Sequence, residues 1–152
     1  MHLSSYLGLL RSAELSLAES YRQVGEAHQA EAEIFYACGI VARQCDSHGR
    51  ALAPVVERFG AAPEGEPERL RTAGLAGTRS GGLGLLRDLH DLYALCSFVE
   101  ITWTIVGQAA KALPDADLLH VVSSCESETA LQLAWLTTAM KAAAPQALIV
   151  AS

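Results

Sequence analysis

Apolar side chains recur along the chain in alternating steps of three and four, the spacing that lines one face of an α-helix. From Leu3 to Ala27 the stripe is Leu3, Leu7, Leu10, Glu14, Leu17, Tyr21 and Val24. From about Glu31 to Phe59 it is Ile34, Cys38, Val41, Cys45, His48, Leu52, Val55 and Phe59. A third run, about Leu83 to Leu113, carries Leu89, Leu92, Tyr93, Cys96, Val99, Glu100, Trp103, Val106 and Gly107. A fourth, about Ala116 to Ala143, carries Leu118, Val121, Val122, Cys125, Glu128, Gln132, Leu133, Leu136 and Met140. Four long helices are predicted. Pro54 predicts a kink or an early end in the last turns of the second, because it has no N–H and its ring crowds the preceding turn. Leu113-Pro114-Asp115 ends the third and puts Asp115 where it caps the fourth, which Pro145 then stops.

The breaks between the stripes set the topology. Gly25 and the polar run 26–31 suit a short turn between antiparallel helices. Residues 60–82, GAAPEGEPERLRTAGLAGTRSGG, lose the apolar period and read as a connection, with one short helical turn expected over Glu66–Ala73. A connection of that length spans a bundle and starts the third helix beside the start of the second, whereas an up-down-up-down bundle needs only a short loop. The expected fold class is all-α, one four-helix bundle domain over 1–152 with a long crossover between helices 2 and 3. The apolar tail, 144–152, suits docking back on the bundle or an oligomer contact, which leaves a homo-oligomer open.

Composition narrows the function classes. At 152 residues and 51% hydrophobic, the chain is large enough for a real core. With 17 acidic against 11 basic residues and a net charge of -6, it has no electrostatic footprint for a phosphate backbone, so no nucleic-acid partner is expected. No apolar stretch reaches the roughly 18 uncharged residues of a membrane span, and no leader pattern opens the chain, so the expectation is a soluble, cytoplasmic protein without a membrane partner. Cys38, Cys45, Cys96 and Cys125 form no CxxC pair, which excludes a zinc ribbon or thioredoxin-type motif. Gly81-Gly82-Leu83-Gly84 has neither the strand before it nor the Gly-Lys-Ser/Thr after it that a phosphate loop requires. Nothing places Ser, His and Asp as a triad.

The polar members of the stripes carry the chemistry. Symmetry about each turn puts Glu14 at the level of Cys45, with His48 one turn beyond. Likewise Glu100 stands at the level of Glu128, with Cys125 one turn before. Together with the crossover, this resembles the ferritin-like superfamily over essentially the whole chain. Ferritin-like di-iron proteins carry one Glu on helix 1, Glu-x-x-His on helix 2, Glu on helix 3 and Glu-x-x-His on helix 4. Tyr21, seven residues after Glu14, is similar to the Glu and Tyr spacing of rubrerythrin-type first helices. Here helix 2 reads Cys45-Asp46-Ser47-His48 and helix 4 reads Cys125-Glu126-Ser127-Glu128, so thiols stand where the family has its bridging carboxylates.

The resemblance implies a mid-bundle site of Glu14, Cys45, His48, Glu100, Cys125 and Glu128 that binds a metal ion, iron or zinc, the thiolates favouring zinc or a softer ion. It also implies that Cys45 and Cys125 are close enough for a disulfide or a redox role. Beside it stands a metal-free reading: Glu14 and His48 form a buried hydrogen-bonded pair, and Glu100 and Glu128 share a proton or lie at the edge of the seam. In that reading the cysteines are core residues, and the protein is a ferritin-like binding or assembly module without catalytic activity. Glu19, Glu26, Glu31 and Glu126 are expected to be solvated, and His28 and His120 to face water. His90 and Asp91 are expected near the bundle mouth. Trp103 and Trp135 are expected in the core, Trp103 one turn from Glu100 as the wall of a pocket.

Overall fold

The computed structural model describes residues 2–60 and 74–150 and is an all-α four-helix bundle. The helices are α1 (Leu3–Ala27), α2 (Ala32–Phe59), α3 (Gly81–Ala112) and α4 (Ala116–Pro145), followed by a π-helical turn, Gln146–Val150. Each stripe read from the sequence faces inward. Leu7, Leu10, Leu17, Tyr21, Leu52, Leu89, Leu92, Val99, Trp103, Val106, Leu118 and Leu136 are all fully buried.

Side-chain ties at the helix ends fix the direction of each helix. His28, at the end of α1, bonds Asp88 in the first turns of α3, so α1 and α3 are antiparallel. Arg58, at the end of α2, makes a two-point contact with Asp115 at the start of α4, at 2.7 and 3.0 Å, so α2 and α4 are antiparallel as well. The order is therefore up, down, down, up, with α3 starting at the end of the bundle opposite to the one where α2 stops. Backbones pack around a ring in which α1 touches α2 and α3, and α4 touches α3 and α2. Helix α3 starts at the same end of the bundle as α2, as the long connection predicts, but diagonally across from it and beside α1. The short helical turn expected over Glu66–Ala73 lies outside the described residues.

Helix ends follow local chemistry. Asp115 caps α4, its carboxylate accepting from the Leu118 N–H at 3.0 Å. Hydrogen bonds from Arg58 and from the Leu118 backbone pull its acid group down to about 2. Gly60 ends α2 at φ 85, a left-handed conformation that a side chain would strain. The early end expected at Pro54 is corrected. Pro54 does not end α2, which runs unbroken to Phe59. Pro54 is exposed, so the Arg50 carbonyl it leaves without an N–H is on the solvent side of the helix. Pro145 is the last residue of α4, as expected, and the chain continues from it into a wider π-helical turn, which accommodates a missing N–H and a crowding ring. That turn docks through Ala147, buried against α4 and α3, while Leu148, Ile149 and Val150 stay exposed.

Helix α3 is, by length and composition, apolar enough to cross a membrane, with mean hydropathy 1.2 over its most apolar stretch and 44% of that stretch buried inside the bundle. Its buried positions recur at helical spacing, from Leu85 through Leu89, Leu92, Cys96, Val99 and Trp103 to Val106, the pattern of a core helix.

The α1–α2 pair packs closely at Gly25, where an added Cβ meets the Cys38 Cβ at 2.9 Å. That neighbour is a carbon fixed to backbone, so the helices must separate to admit a methyl group. Gly25→Ala is therefore expected to destabilise the fold by about 1–3 kcal/mol from overpacking, outweighing the gain of about 1 kcal/mol in helix propensity. Urea unfolding reads the sign directly, and a stabilised variant contradicts this packing.

Candidate functional site

The middle of the bundle holds a charged layer contributed by all four helices. Glu14 on α1 is fully buried, and its Oε1 accepts from two donors, His48 Nδ1 of α2 at 3.0 Å and Trp103 Nε1 of α3 at 2.8 Å. The other nitrogen of the ring, His48 Nε2, faces Glu128 Oε1 of α4 at 3.4 Å. Trp103 stands edge-on to the imidazole, with ring centroids 6.2 Å apart. Glu14 Oε2 is buried with no hydrogen-bond partner among the described residues.

Both partners of His48 are carboxylates and accept, so both ring nitrogens donate and the ring is an imidazolium. Burial opposes that charge, but the hydrogen bond to Glu14, the Glu14 charge and then Glu128 outweigh it and raise His48 above the ordinary histidine value. Glu128 is the solvent end of the relay, its side chain 43% exposed, while Glu14 is the dry end.

Of the six residues proposed from the sequence, Glu14, His48 and Glu128 come together. Cys45 lies against Glu14, and its thiol is pushed up by burial and then by the Glu14 charge. Cys125 is buried between charges; desolvation, then Glu14 and Glu128, push its thiol up to about 12. Glu100 is half-buried, and its charge is felt by Cys96. Among the described residues it shares no hydrogen bond with Glu128, so the shared proton is not formed, while Glu128 does lie at the edge of the seam. Cys45 and Cys125 are both free thiols. Among the described residues no group of three or more His, Cys, Asp or Glu is arranged to hold a metal ion.

A second polar layer lies one to two turns toward the α1 C-terminus. Gln132 Oε1 on α4 receives Tyr21 OH of α1 at 3.2 Å, and the thiols of Cys45 and Cys96 at 3.7 Å each. Its amide nitrogen donates to Gln44 Oε1 at 3.1 Å. Burial and the neighbouring thiols hold the Tyr21 hydroxyl well above its ordinary value, so it stays a neutral donor.

A third cluster closes the crossover and corrects the expectation that His28 faces water. His28 is 6% exposed, and its Nε2 donates to Asp88 Oδ2 at 2.8 Å. Arg79 donates its backbone N–H to the same oxygen at 3.0 Å and its guanidinium to Asp88 Oδ1 at 2.9 Å, while also reaching Asp91. The signal was present in the sequence: His28 continues the α1 stripe four residues past Val24. Glu126 is also corrected, being half-buried and accepting from Thr104 at 3.1 Å rather than solvated. His120 is exposed as expected, and His90 is exposed in the third turn of α3. Trp103 is in the core as expected, fully buried, with its N–H donating to Glu14.

Comparison of the chain with protein-family models, with curated proteins and with solved structures finds no match. Fold and site thus define a class by geometry: an all-α four-helix bundle with a carboxylate–imidazolium–carboxylate relay through its middle.

Two pH responses follow. The folded value of His48 lies above the unfolded value of about 6.5, so the pair's contribution is complete below that pH and fades as pH rises through the folded value. Glu14→Gln is expected to lower the His48 titration midpoint read by NMR, and to cost about 1.5–3 kcal/mol at pH 6 but less at pH 9. An unmoved midpoint contradicts the relay. Burial holds Cys38, Cys96 and Cys125 near 12, against about 8.5 for a free thiol. Their stabilising effect is complete below the unfolded value and is lost as pH rises toward 12, so the melting temperature should fall steadily above about pH 8.5. Replacing Cys125 with Ala should shallow that fall.

Proposed function

We propose that this protein is a ferritin-like bundle in which the His48 imidazolium takes the place of a metal cation, and that it works as a binding or assembly module rather than as an oxygen-activating enzyme. The observation that carries the reading is the double engagement of His48, each ring nitrogen donating to a carboxylate from a different helix. A nitrogen that donates has no lone pair for a metal. Charge arithmetic supports it. The family's pattern of four glutamates and two neutral histidines needs cations to balance it. Here thiols replace two of the carboxylates and keep their protons, so the layer carries less negative charge and one imidazolium, held between Glu14 and Glu128, balances part of it. The apolar surface a module requires is present in Tyr36 and Ile40 on α2, Leu131 on α4 and the exposed tail residues.

One observation favours the other reading, an iron or zinc ion at the same layer: Glu14 Oε2 is a buried acceptor with no donor. The residues fit such an ion poorly, since it requires His48 to lose a proton and leave one carboxylate. Metal analysis of protein purified without chelator, followed by melting in the presence of Fe(II), Mn(II) or Zn(II), separates the two. No stoichiometric metal and no metal-dependent rise in melting temperature is expected. One equivalent of metal per chain, with a rise that disappears in Glu14→Ala and His48→Ala, overturns the proposal.

A further inference from the structure

The end of the bundle where α2 and α3 start and α4 finishes holds a groove of about 430 Å³. Helix α4 lines it with Trp135 and, beyond that, only with small side chains such as Ala139 and Ala143. Ile34 of α2 and Leu85 of α3 add aliphatic surface, and at Gly82 an added Cβ meets nothing within 4 Å. The lining is mostly apolar, and the volume falls in the range of about 300–1,000 Å³ that small-molecule sites occupy.

The charged side chains that line this groove are both acidic, Glu31 and Glu33. Both are exposed, and neither carboxylate has an ion-pair or hydrogen-bond partner among the described residues. Glu33 answers the α2 dipole, but Glu31 stands at the N-cap without making a capping bond, so starting the helix does not account for it. Trp135 is half-buried and, unlike Trp103, spends its indole N–H on no group among the described residues. An indole and two unpaired carboxylates attract the same sign of charge, while the aliphatic surface takes hydrocarbon. Helices α2 and α3 contribute only residues 31–34 and 82–85, about one turn or roughly 5 Å each. A peptide helix outruns such walls, and a specific protein interface needs about 800 Å² per partner.

We propose that the groove binds a small hydrophobic ammonium ion, its hydrocarbon part against Ile34, Leu85 and Ala139 and its cationic head shared by Trp135 and the carboxylates of Glu31 and Glu33. Charge complementarity selects the occupant: no Lys or Arg lines the groove among the described residues, and the chain carries a net charge of -6. An alkylated head suits this lining, because it donates no hydrogen bonds that apolar side chains would leave unanswered. Binding is non-covalent and reversible. The inference goes beyond the module reading, since Trp135 stands about two turns past Glu128 on α4 and no lining residue belongs to the relay or to the exposed apolar residues named for the module. Either can therefore fail alone.

Titration of the full chain with benzyltrimethylammonium, followed by NMR through the indole N–H resonances of Trp103 and Trp135, tests it. The Trp135 signal should shift saturably while the Trp103 signal, sealed in the core, stays in place. Neopentylbenzene, the neutral isostere, should bind at least about tenfold more weakly, and para-tert-butylbenzoate, an anion of similar size, should not bind. Replacing both acids, Glu31→Gln with Glu33→Gln, should reduce the preference for the cation below about twofold. Both side chains are exposed, so the fold should persist, with helicity checked by circular dichroism. Ala143→Leu, which fills the groove without altering charge, should weaken cation binding by at least about tenfold. An unmoved Trp135 signal, or equal binding of the cation and its isostere, overturns the proposal. A Trp135 signal that moves with protein concentration alone assigns the groove to a second copy, and a basic amphipathic peptide that displaces the small cation at lower concentration assigns it to a macromolecule. Either result overturns the proposal as well.

Discussion

Glu14 is a carboxylate placed on a leucine seam with no exposed surface, and the rest of the mid-bundle is organised around that burden. An ionised group in a dry interior costs several kcal/mol unless its partners are charged or aimed at it. Those partners are His48 and Trp103, from α2 and α3, and they converge on a single oxygen. A hydrophobic residue of similar volume in place of such a pair is often neutral or stabilising. Stability alone therefore does not account for the pair, which is why the layer invites a functional reading.

The polar layers also specify how the helices align. Gln132 is held by Tyr21, Cys45, Cys96 and Gln44, so one amide on α4 touches side chains of α1, α2 and α3. A slip of one helical turn in any helix would leave a buried carboxylate or amide facing leucine. Alternative registers thus carry a penalty that an all-leucine core lacks, the same device by which a buried polar residue fixes register in a coiled coil. The His28–Asp88–Arg79 cluster does the same for topology. It ties the last residue before the first turn to the end of the crossover, so α3 enters beside α1 and runs down rather than up.

Much of this was legible because helical periodicity is local. Leu3 to Ala27 was read with both ends in place, and Asp115 was recognisable as a cap from its position after Leu113-Pro114 alone. The pairing of Glu14 with His48 was legible too, since reflection of two stripes about one short turn sets their levels. What escaped the sequence depends on chain segments far apart. Asp88 and Arg79 lie some sixty and fifty residues beyond His28, and nothing local to the end of α1 announces them. Trp103 was recognisable as core, but the target of its N–H is 89 residues away across the bundle. Pro54 was over-read for a similar reason, since whether it breaks a helix depends on which side of α2 meets solvent; Pro145 does end α4, but the π-helical turn after it is encoded by no apolar period.

The asymmetry of the relay gives it a direction. Glu14 is sealed, Glu128 is 43% exposed, and His48 touches one with each nitrogen. Any proton that leaves or reaches the dry end without opening the bundle must pass through the imidazole, entering at Nε2 and departing at Nδ1 or the reverse. The chain is therefore a conduit only while His48 can exchange, and a store of charge when it cannot. Because both carboxylates raise the ring's affinity for its proton, the stored state persists to higher pH than in a free histidine. The same constraint explains the thiols beside it. Carboxylates in place of Cys45 and Cys125 would add negative charge to a layer that one imidazolium already balances only in part. Cysteine fills that volume, keeps its proton and leaves the relay with the single cation it contains.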